Sequence, residues 1–267
     1  MIVFPNAKIN IGLHVVSKRP DGYHNLETIF YPVQLSDALE MGEATETSIS
    51  FSGLPVDGPP GNNLVLKAYQ LLKNDFDLPP VQFHLHKVIP TGAGLGGGSS
   101  DAAFTLKMLN DFFNLKLNTE QLKTFAAHLG ADCPFFIENK PAFATGIGDQ
   151  LSPVEIDLSG YRIVILKPDV SVSTANAYQN INPSEPDFNL QKLAELPVNE
   201  WKNVVQNDFE RSVFPLFPEI KRWKKKLYKL GAEFASMSGS GSAVFGIFRH
   251  LPTDFDKSIP PGILFSR

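Results

Sequence analysis

Five of the nine residues from Gly92 to Ser100, GAGLGGGSS, are glycine. Backbone without Cβ atoms takes positive φ freely and comes close to a ligand. Before this run, Val81, Phe83 and Leu85 alternate with Gln82, His84 and His86, the period of a strand. After it, Ser99, Ser100 and Asp101 offer N-caps to a helix with Ala103, Leu106, Leu109 and Phe113 on one face. Such a loop aims unpaired N–H groups and the positive end of a helix dipole at one spot, which makes it a phosphate site. Flexible linkers are not flanked in this way.

Two familiar phosphate motifs fail. A Walker A loop needs lysine after its second glycine, and the spacing from Gly92 puts Gly98 there. G-x-G-x-x-G matches at Gly92, Gly94 and Gly97, but a dinucleotide fold needs an acidic residue ending a second strand about 20 residues on. Here that stretch, LNTEQLKTFAA, reads as helix.

Elsewhere the chain mixes strands and helices. Ile9, Ile11, Leu13 and Val15 form the buried face of a strand, and Lys8, Asn10, Gly12 and His14 share the other face. RPDGYH (Arg19 to His24) is a turn. Residues 28–41 and 47–52 read as strands, and Asn62 or Asn63 caps a helix with Leu64, Val65, Ala68, Leu71 and Leu72 inward. Asn118 and Gln121 resemble a capping box for a helix stopped by Gly130. Ala142–Thr145 and Tyr161–Leu166 read as strands, with residues 174–180 and 189–195 as short helices. Phe217, Ile220, Trp223, Leu227 and Leu230 form a helical stripe closed by Gly231. SMSGSGSAVFGIF (Ser236 to Phe248) is a second Gly/Ser loop running into a strand. Without strict β-α-β alternation the pattern predicts an α+β protein. The stretch LSPVEIDLSG suggests a division into domains 1–152 and 153–267.

Composition narrows the class. The net charge of −4 argues against a general nucleic-acid binder. A single cysteine, Cys133, forms no intramolecular disulfide, builds no Cys-based zinc site, and fits a reducing compartment. No apolar run reaches the roughly 18 residues of a membrane span. With no signal or transit pattern at MIVFPNAKIN, a bacterial cytoplasm is the expected location.

The loop P-x-G-x-G-L-G-G-G-S-S, Pro90 to Ser100, resembles the nucleotide loop of the GHMP kinases. PNAKINI (Pro5 to Ile11), RPDGYH and GADCPFF (Gly130 to Phe136) are similar to those members that act on a cytidine-diphosphate-linked methylerythritol, and SGSGS (Ser238 to Ser242) to the superfamily's third motif. The matches keep family order over nearly the whole chain. The resemblance implies a two-domain fold, an N-terminal domain of the ribosomal protein S5 domain 2 type and a C-terminal ferredoxin-like sandwich, with the active site in the cleft between them. It implies an ATP- and Mg²⁺-dependent kinase of the isoprenoid-precursor route, a monomer or weak homodimer, whose partner is a small molecule and neither nucleic acid nor membrane.

The same resemblance assigns roles. Pro90, Thr91, Gly92, Ala93, Gly94, Leu95, Gly96, Gly97, Gly98, Ser99 and Ser100 wrap the phosphates, with Ser100 near Mg²⁺. Asp132 takes the proton of the attacking hydroxyl and Lys8 pairs with it. Asn10, Tyr23, His24, Thr174, Tyr178, Ser238 and Gly239 contact the acceptor, Tyr23 and His24 through its cytosine. Asn63, Leu64, Val65 and Lys87 serve adenine. Other family members, acting on homoserine or mevalonate derivatives, have no base to stack. A non-catalytic sensor would not need Lys8 and Asp132. His84 and His86 lack a third metal ligand, Cys133 lacks a histidine partner, and the lysines of 221–229 read as a solvated helix face, with weak RNA or membrane contact as the alternative.

Overall fold

The computed structural model describes residues 1–179, 181–260 and 264–266. In chain order the strands are β1 (Ile2–Val3), β2 (Asn6–Lys18), β3 (His24–Ser36), β4 (Ala38–Glu43), β5 (Ser48–Gly53), β6 (Val81–Lys87), β7 (Ala142–Thr145), β8 (Gln150–Pro153), β9 (Arg162–Leu166), β10 (Phe234–Met237), β11 (Val244–Phe248) and β12 (Leu264–Ser266). The α-helices are α1 (Leu64–Asp75), α2 (Gly97–Phe112), α3 (Thr119–Leu129), α4 (Cys133–Glu138), α5 (Thr174–Tyr178), α6 (Trp201–Val204), α7 (Phe209–Leu216) and α8 (Pro218–Lys229). The mixture is α+β, as expected. Two compact units interleave along the chain. One holds Met1–Ala7, Gln34–Thr91 and Gly96–Lys140, the other Lys8–Val33, Gly92–Leu95 and Pro141–Arg267. Relative to a division at 152/153, residues 8–33, 92–95 and 141–152 join the C-terminal part.

The first unit carries the sheet β1-β4-β6-β5, with β4 antiparallel and β5 parallel to β6. Helices α1, α2, α3 and α4 pack on one another. In β6, Val81, Phe83 and Leu85 are buried, and Lys87 falls in phase with them, so strand periodicity carries an ammonium into the interior. Asn63, not Asn62, caps α1 by accepting from Val65 N at 2.9 Å. The box at α3 is complete: Asn118 Oδ1 accepts from Gln121 N and Gln121 Oε1 accepts from Asn118 N. The expected strand 28–41 breaks at Asp37, whose carboxylate accepts from Val88 N and Ile89 N and binds Lys87. The expected caps of α2 are corrected too. Gly96 is its N-cap, at φ 70°, with no side-chain cap, and Ser99, Ser100 and Asp101 lie inside the helix.

The second unit holds two sheets, β2-β3-β7-β8 and β10-β11-β9-β12. Its core joins Leu13 and Val15 of β2 to Val164, Leu166, Phe209, Val213, Ile220, Leu227, Val244 and Phe248. One expectation fails here. The polar face of β2 is buried like the apolar one: Lys8, Asn10 and His14 are 4%, 2% and 7% exposed. The segment through Asn207 packs on β2 from Gly12 to Val15. Leu13 N donates to Gln206 O, Asp208 N donates to Leu13 O, and Leu190 and Val205 lie 3.0 Å from where a Gly12 Cβ would stand. The expected helix 174–180 ends at Tyr178, and Asn180 lies outside the described residues. Residues Leu190–Glu195 form a 3₁₀ helix capped by Asn189.

Replacing Asn118 by alanine removes one exposed cap without touching either core. Urea unfolding should show a loss of about 1 kcal/mol, with an unchanged m-value.

Candidate active site

The glycine run forms a tight loop. Gly92, Gly94 and Gly96 all have positive φ, of 65°, 78° and 70°. Gly94 has a second reason to be glycine, since a Cβ there would stand 2.0 Å from the carbonyl oxygen of Ser238. At Gly97 the limit is packing, with Ile89 Cγ2 at 2.8 Å from an added Cβ. Ala93 and Leu95 turn inward as apolar anchors, and Pro90 is buried, whereas Thr91, Gly92 and Gly98 are exposed. The loop opens the 16-residue α2, whose Gly97, Gly98 and Ser99 N–H groups have no intrahelical acceptor. A loop of this shape at a helix N-terminus is an anion cradle.

In the second unit, residues 92–95 are sewn to β2 and to the late SGSGS loop. Lys8 N donates to Leu95 O at 2.9 Å, and Ala243 N donates to Ala93 O at 3.1 Å. Ser238 Oγ donates to Gly94 O at 2.8 Å and accepts from Asn10 N at 3.2 Å. These bonds tie the Ser238 hydroxyl to the glycine loop on one side and to β2 on the other. Gly239 lies beside this junction: its added Cβ would be 3.3 Å from Asn10 Oδ1 and 3.4 Å from Gly94 Cα. The chain thereby brings Lys8, Asn10, Gly94, Ser238 and Gly239 together. Lys8 Nζ donates to Asn10 Oδ1 at 2.6 Å and lies 4.5 Å from the centroid of the Phe30 ring. Asn10 Nδ2 donates to Thr28 Oγ1 at 3.0 Å, and Thr28 Oγ1 to Gly12 O at 2.5 Å. These bonds orient the Asn10 amide, its oxygen toward the ammonium.

Thr28 and Asn207 are absent from the sequence reading. Asn207 Nδ2 donates to Met237 O at 2.8 Å and Gly239 O at 2.9 Å, holding the SGSGS loop from behind. Thr28 had one signal, a hydroxyl on the apolar side of a strand. Asn207 had none, since asparagine before a helix reads as a cap.

In the first unit, Lys87 is 4% exposed and its ammonium sits between Asp37 and Asp101, 2.8 Å from Asp101 Oδ2. The expected adenine contact is therefore a buried ion-pair center. Burial alone would lower the Lys87 pKa, but the two carboxylates outweigh it and raise it. One ammonium serves two carboxylates, so burial pushes Asp101 up to about 7, against the pull of Lys87. Asp101 Oδ1 and the neighboring Ser100 Oγ are buried and have no hydrogen-bond partner among the described residues. Two orphaned hard oxygens at the start of α2 suit a magnesium ion, which takes one or two protein oxygens besides phosphate and water. Asn63 keeps its cap role, and Leu64 Cδ1 is 3.7 Å from an added Cβ at Gly98, which places the α1 start beside the loop. Val65 is fully buried and belongs to the core. Asp132 stands at the N-cap position of α4 with Pro134 two residues on, yet its side chain makes no cap bond. Burial pushes Cys133 up to about 11, which rules it out as a ready nucleophile.

The third group lies in the second unit. His24 stacks on Tyr178, with ring centroids 4.7 Å apart and planes 23° apart, and Tyr178 meets Phe209 edge-on at 4.8 Å. Tyr23 is 62% exposed, at the end of a turn fixed by Tyr23 N donating to Asp21 Oδ1 and by the Arg19–Asp21 pair. Thr174, the first residue of α5, is exposed. Burial, then the Lys18 charge, lower the His24 pKa, so the ring is neutral at pH 7 and offers one donor and one acceptor.

Profiles of the GHMP kinases N terminal domain and the GHMP kinases C terminal domain match residues 63–140 and 189–255. The glycine loop and the SGSGS loop thus lie in the two matched domains of a GHMP kinase. The relatives narrow this. A 4-diphosphocytidyl-2-C-methyl-D-erythritol kinase of Bacteroides fragilis is 58% identical over 252 residues, 93% of this chain and 92% of that one. One from Parabacteroides distasonis is 55% identical over 257 residues, 96% and 94%. A crystal structure of 4-(cytidine 5'-diphospho)-2C-methyl-D-erythritol kinase, 35% identical, superposes with a TM-score of 0.78 over 92% of this chain and 90% of its own. The mevalonate kinase of Methanococcus jannaschii, at 15% identity and a TM-score of 0.68 over 96% and 92%, shares the fold. The chain belongs to the 4-diphosphocytidyl-2-C-methyl-D-erythritol kinase family.

Gly94→Ala should destabilize by at least about 2 kcal/mol, because a positive φ and a backbone clash act together. Thermal unfolding reads the loss. For Asp101 the folded pKa lies above the ordinary carboxylate value. Its contribution is full below about pH 4 and is lost as pH rises through about 7. Asp101→Asn should flatten the fall in stability across that window. An unchanged slope would show that another group carries it.

Proposed function

We infer that this chain transfers the γ-phosphoryl group of ATP to the 2-hydroxyl of 4-diphosphocytidyl-2-C-methyl-D-erythritol, in the non-mevalonate route to isoprenoid precursors. The observation that carries this is identity of 50–58% to kinases of that name over more than nine-tenths of the chain.

The roles follow from the geometry of each group. Phosphoryl transfer is mainly positioning and charge stabilization. Gly92–Ser100 bind the ATP phosphates through backbone N–H groups, and the exposed side of Gly98 next to Leu64 leaves room toward adenine, with Asn63 on the same turn. Asp132 accepts the proton of the attacking hydroxyl. Lys8, held on the Asn10 amide, supplies positive charge at the acceptor oxygen. Ser100 Oγ and Asp101 Oδ1 would hold Mg²⁺, which would supply positive charge against the phosphates. Tyr23, His24 and Tyr178 take the cytosine, with rings for its face and the neutral His24 for its donor–acceptor edge. Thr174 flanks that pocket. We place the enzyme in the bacterial cytoplasm, in keeping with its bacterial relatives.

ATP consumption is measured with Mg²⁺ and the cytidylated substrate, beside homoserine, mevalonate and no acceptor. Turnover is expected only with the first. Lys8→Met and Asp132→Asn should each lower kcat by about 100- to 10,000-fold. Turnover with another alcohol alone would keep the kinase and sink the acceptor. ATP binding without any turnover would leave a sensor. In the same assay His24→Ala should raise KM for the cytidylated substrate by about tenfold and leave KM for ATP unchanged. Lowering the pH below the depressed His24 pKa should mimic that change in the native protein and not in the variant.

A further inference from the structure

A second cavity in the C-terminal unit has no place in this chemistry. It measures about 370 Å³ and is lined by Glu210, Arg211 and Phe214 of α7 and by Lys221, Lys224, Lys225 and Tyr228 of α8. The spacing explains the lining. Residues 210, 211 and 214 share one face of α7, residues 221, 224, 225 and 228 share one face of α8, and the two helices pack together. Not all four cations are available. Lys224 Nζ is bound by both Glu210 oxygens at 2.6 and 2.8 Å, and Glu210 is fixed in turn by Met237 N at 3.0 Å and Ser236 Oγ at 3.2 Å. Arg211 gives one nitrogen to Gln206 Oε1 at 3.0 Å, with Asp208 Oδ1 at 3.8 Å from the same atom, and its other donors remain. Lys221 and Lys225 make no ion pair among the described residues, and both are exposed. Between these rim cations, Phe214 and Tyr228 are half-buried rings, Tyr228 anchored through its hydroxyl to Ala235 O at 3.1 Å.

We propose that this groove binds a small amphiphilic phosphate, its phosphoryl head on Arg211, Lys221 and Lys225 and its apolar body on Phe214 and Tyr228. Three cations around one opening match a dianion better than a monocarboxylate, and the volume lies in the range of small-molecule sites. The apolar floor distinguishes this ligand from free phosphate. This reading is independent of the kinase assignment, and its test measures binding, not turnover.

The probe is n-octyl phosphate below its micellar concentration, titrated calorimetrically into the full chain with ADP present at saturation. One saturable site is expected. Lys221→Glu/Lys225→Glu should bind at least about tenfold more weakly while keeping its circular dichroism and its turnover. Inorganic phosphate and n-octanol should each bind at least about tenfold more weakly than octyl phosphate to the native protein. Equal binding by the double variant would put the site elsewhere and overturn the proposal. Inorganic phosphate matching octyl phosphate would reduce the groove to a charged surface. Capture by phosphatidylglycerol vesicles through Lys221 and Lys225, with no binding of monomeric octyl phosphate, would replace the small ligand by a membrane face.

Discussion

The hydrogen bond from Ser238 Oγ to the Gly94 carbonyl is the contact on which the candidate site of the second unit turns. Two loops distant in sequence meet there with backbone against backbone, and a single Cβ at Gly94 would occupy the Ser238 carbonyl. Because Ser238 Oγ also accepts from Asn10 N, the same hydroxyl sets the height of β2 at the residue that holds Lys8. The ammonium thus inherits its position from a serine whose own bonds are all to main chain. Asn207 adds the outer support by binding the carbonyls on both sides of Ser238. Within the second unit, the Asn10 amide is the hydrogen-bond acceptor that orients the ammonium, and main-chain bonds fix the strand that carries it.

Lys87 is as buried as Lys8, and it sits between two carboxylates at the foot of the glycine loop. A buried charge must be paired, and two acids for one ammonium leave a surplus that raises Asp101. The surplus oxygen, Asp101 Oδ1, has no hydrogen-bond partner among the described residues, and neither does Ser100 Oγ of the preceding residue. Divalent charge arriving with the phosphates would lower the Asp101 pKa.

Local signals were legible wherever chain neighbors decide the structure. The capping box at Asn118 and Gln121, the Asn63 cap, the strand Ala142–Thr145 and the α8 stripe all follow from spacing within one turn or one pleat. What sequence could not give was the far side of each surface. β2 alternates as a half-exposed strand does, yet Lys8, Asn10 and His14 are buried, and the stretch through Asn207, about 190 residues later, packs on β2 from Gly12 to Val15. Lys87 is expected beside adenine until Asp37, fifty residues earlier, is seen to break its own strand to reach it. The candidate site was legible through the glycine loop and motif order. Its supports, Thr28, Asp37, Asp101 and Asn207, were not, because a hydroxyl, an amide or a carboxylate carries no sign of which remote main chain it will hold.

The lysines of α8 make the same point at the surface. In sequence they form one solvated stripe, and periodicity offers no means to rank them. Packing against α7 divides them. Glu210, one turn before Phe214, takes Lys224 and is itself held by the Met237 amide, so that pair belongs to the scaffold behind Ser238. Lys221 and Lys225, one turn apart on α8, are left at the rim above two aromatic rings. Exposed cations cost nothing to keep in water and gain strength only where an apolar surface beside them excludes it. The rings provide that surface for Lys221 and Lys225, whereas Arg222 and Lys229 have no part in the cavity. Charge count alone would have treated all of these residues alike, and the difference among them comes from which helix face the neighboring element leaves open.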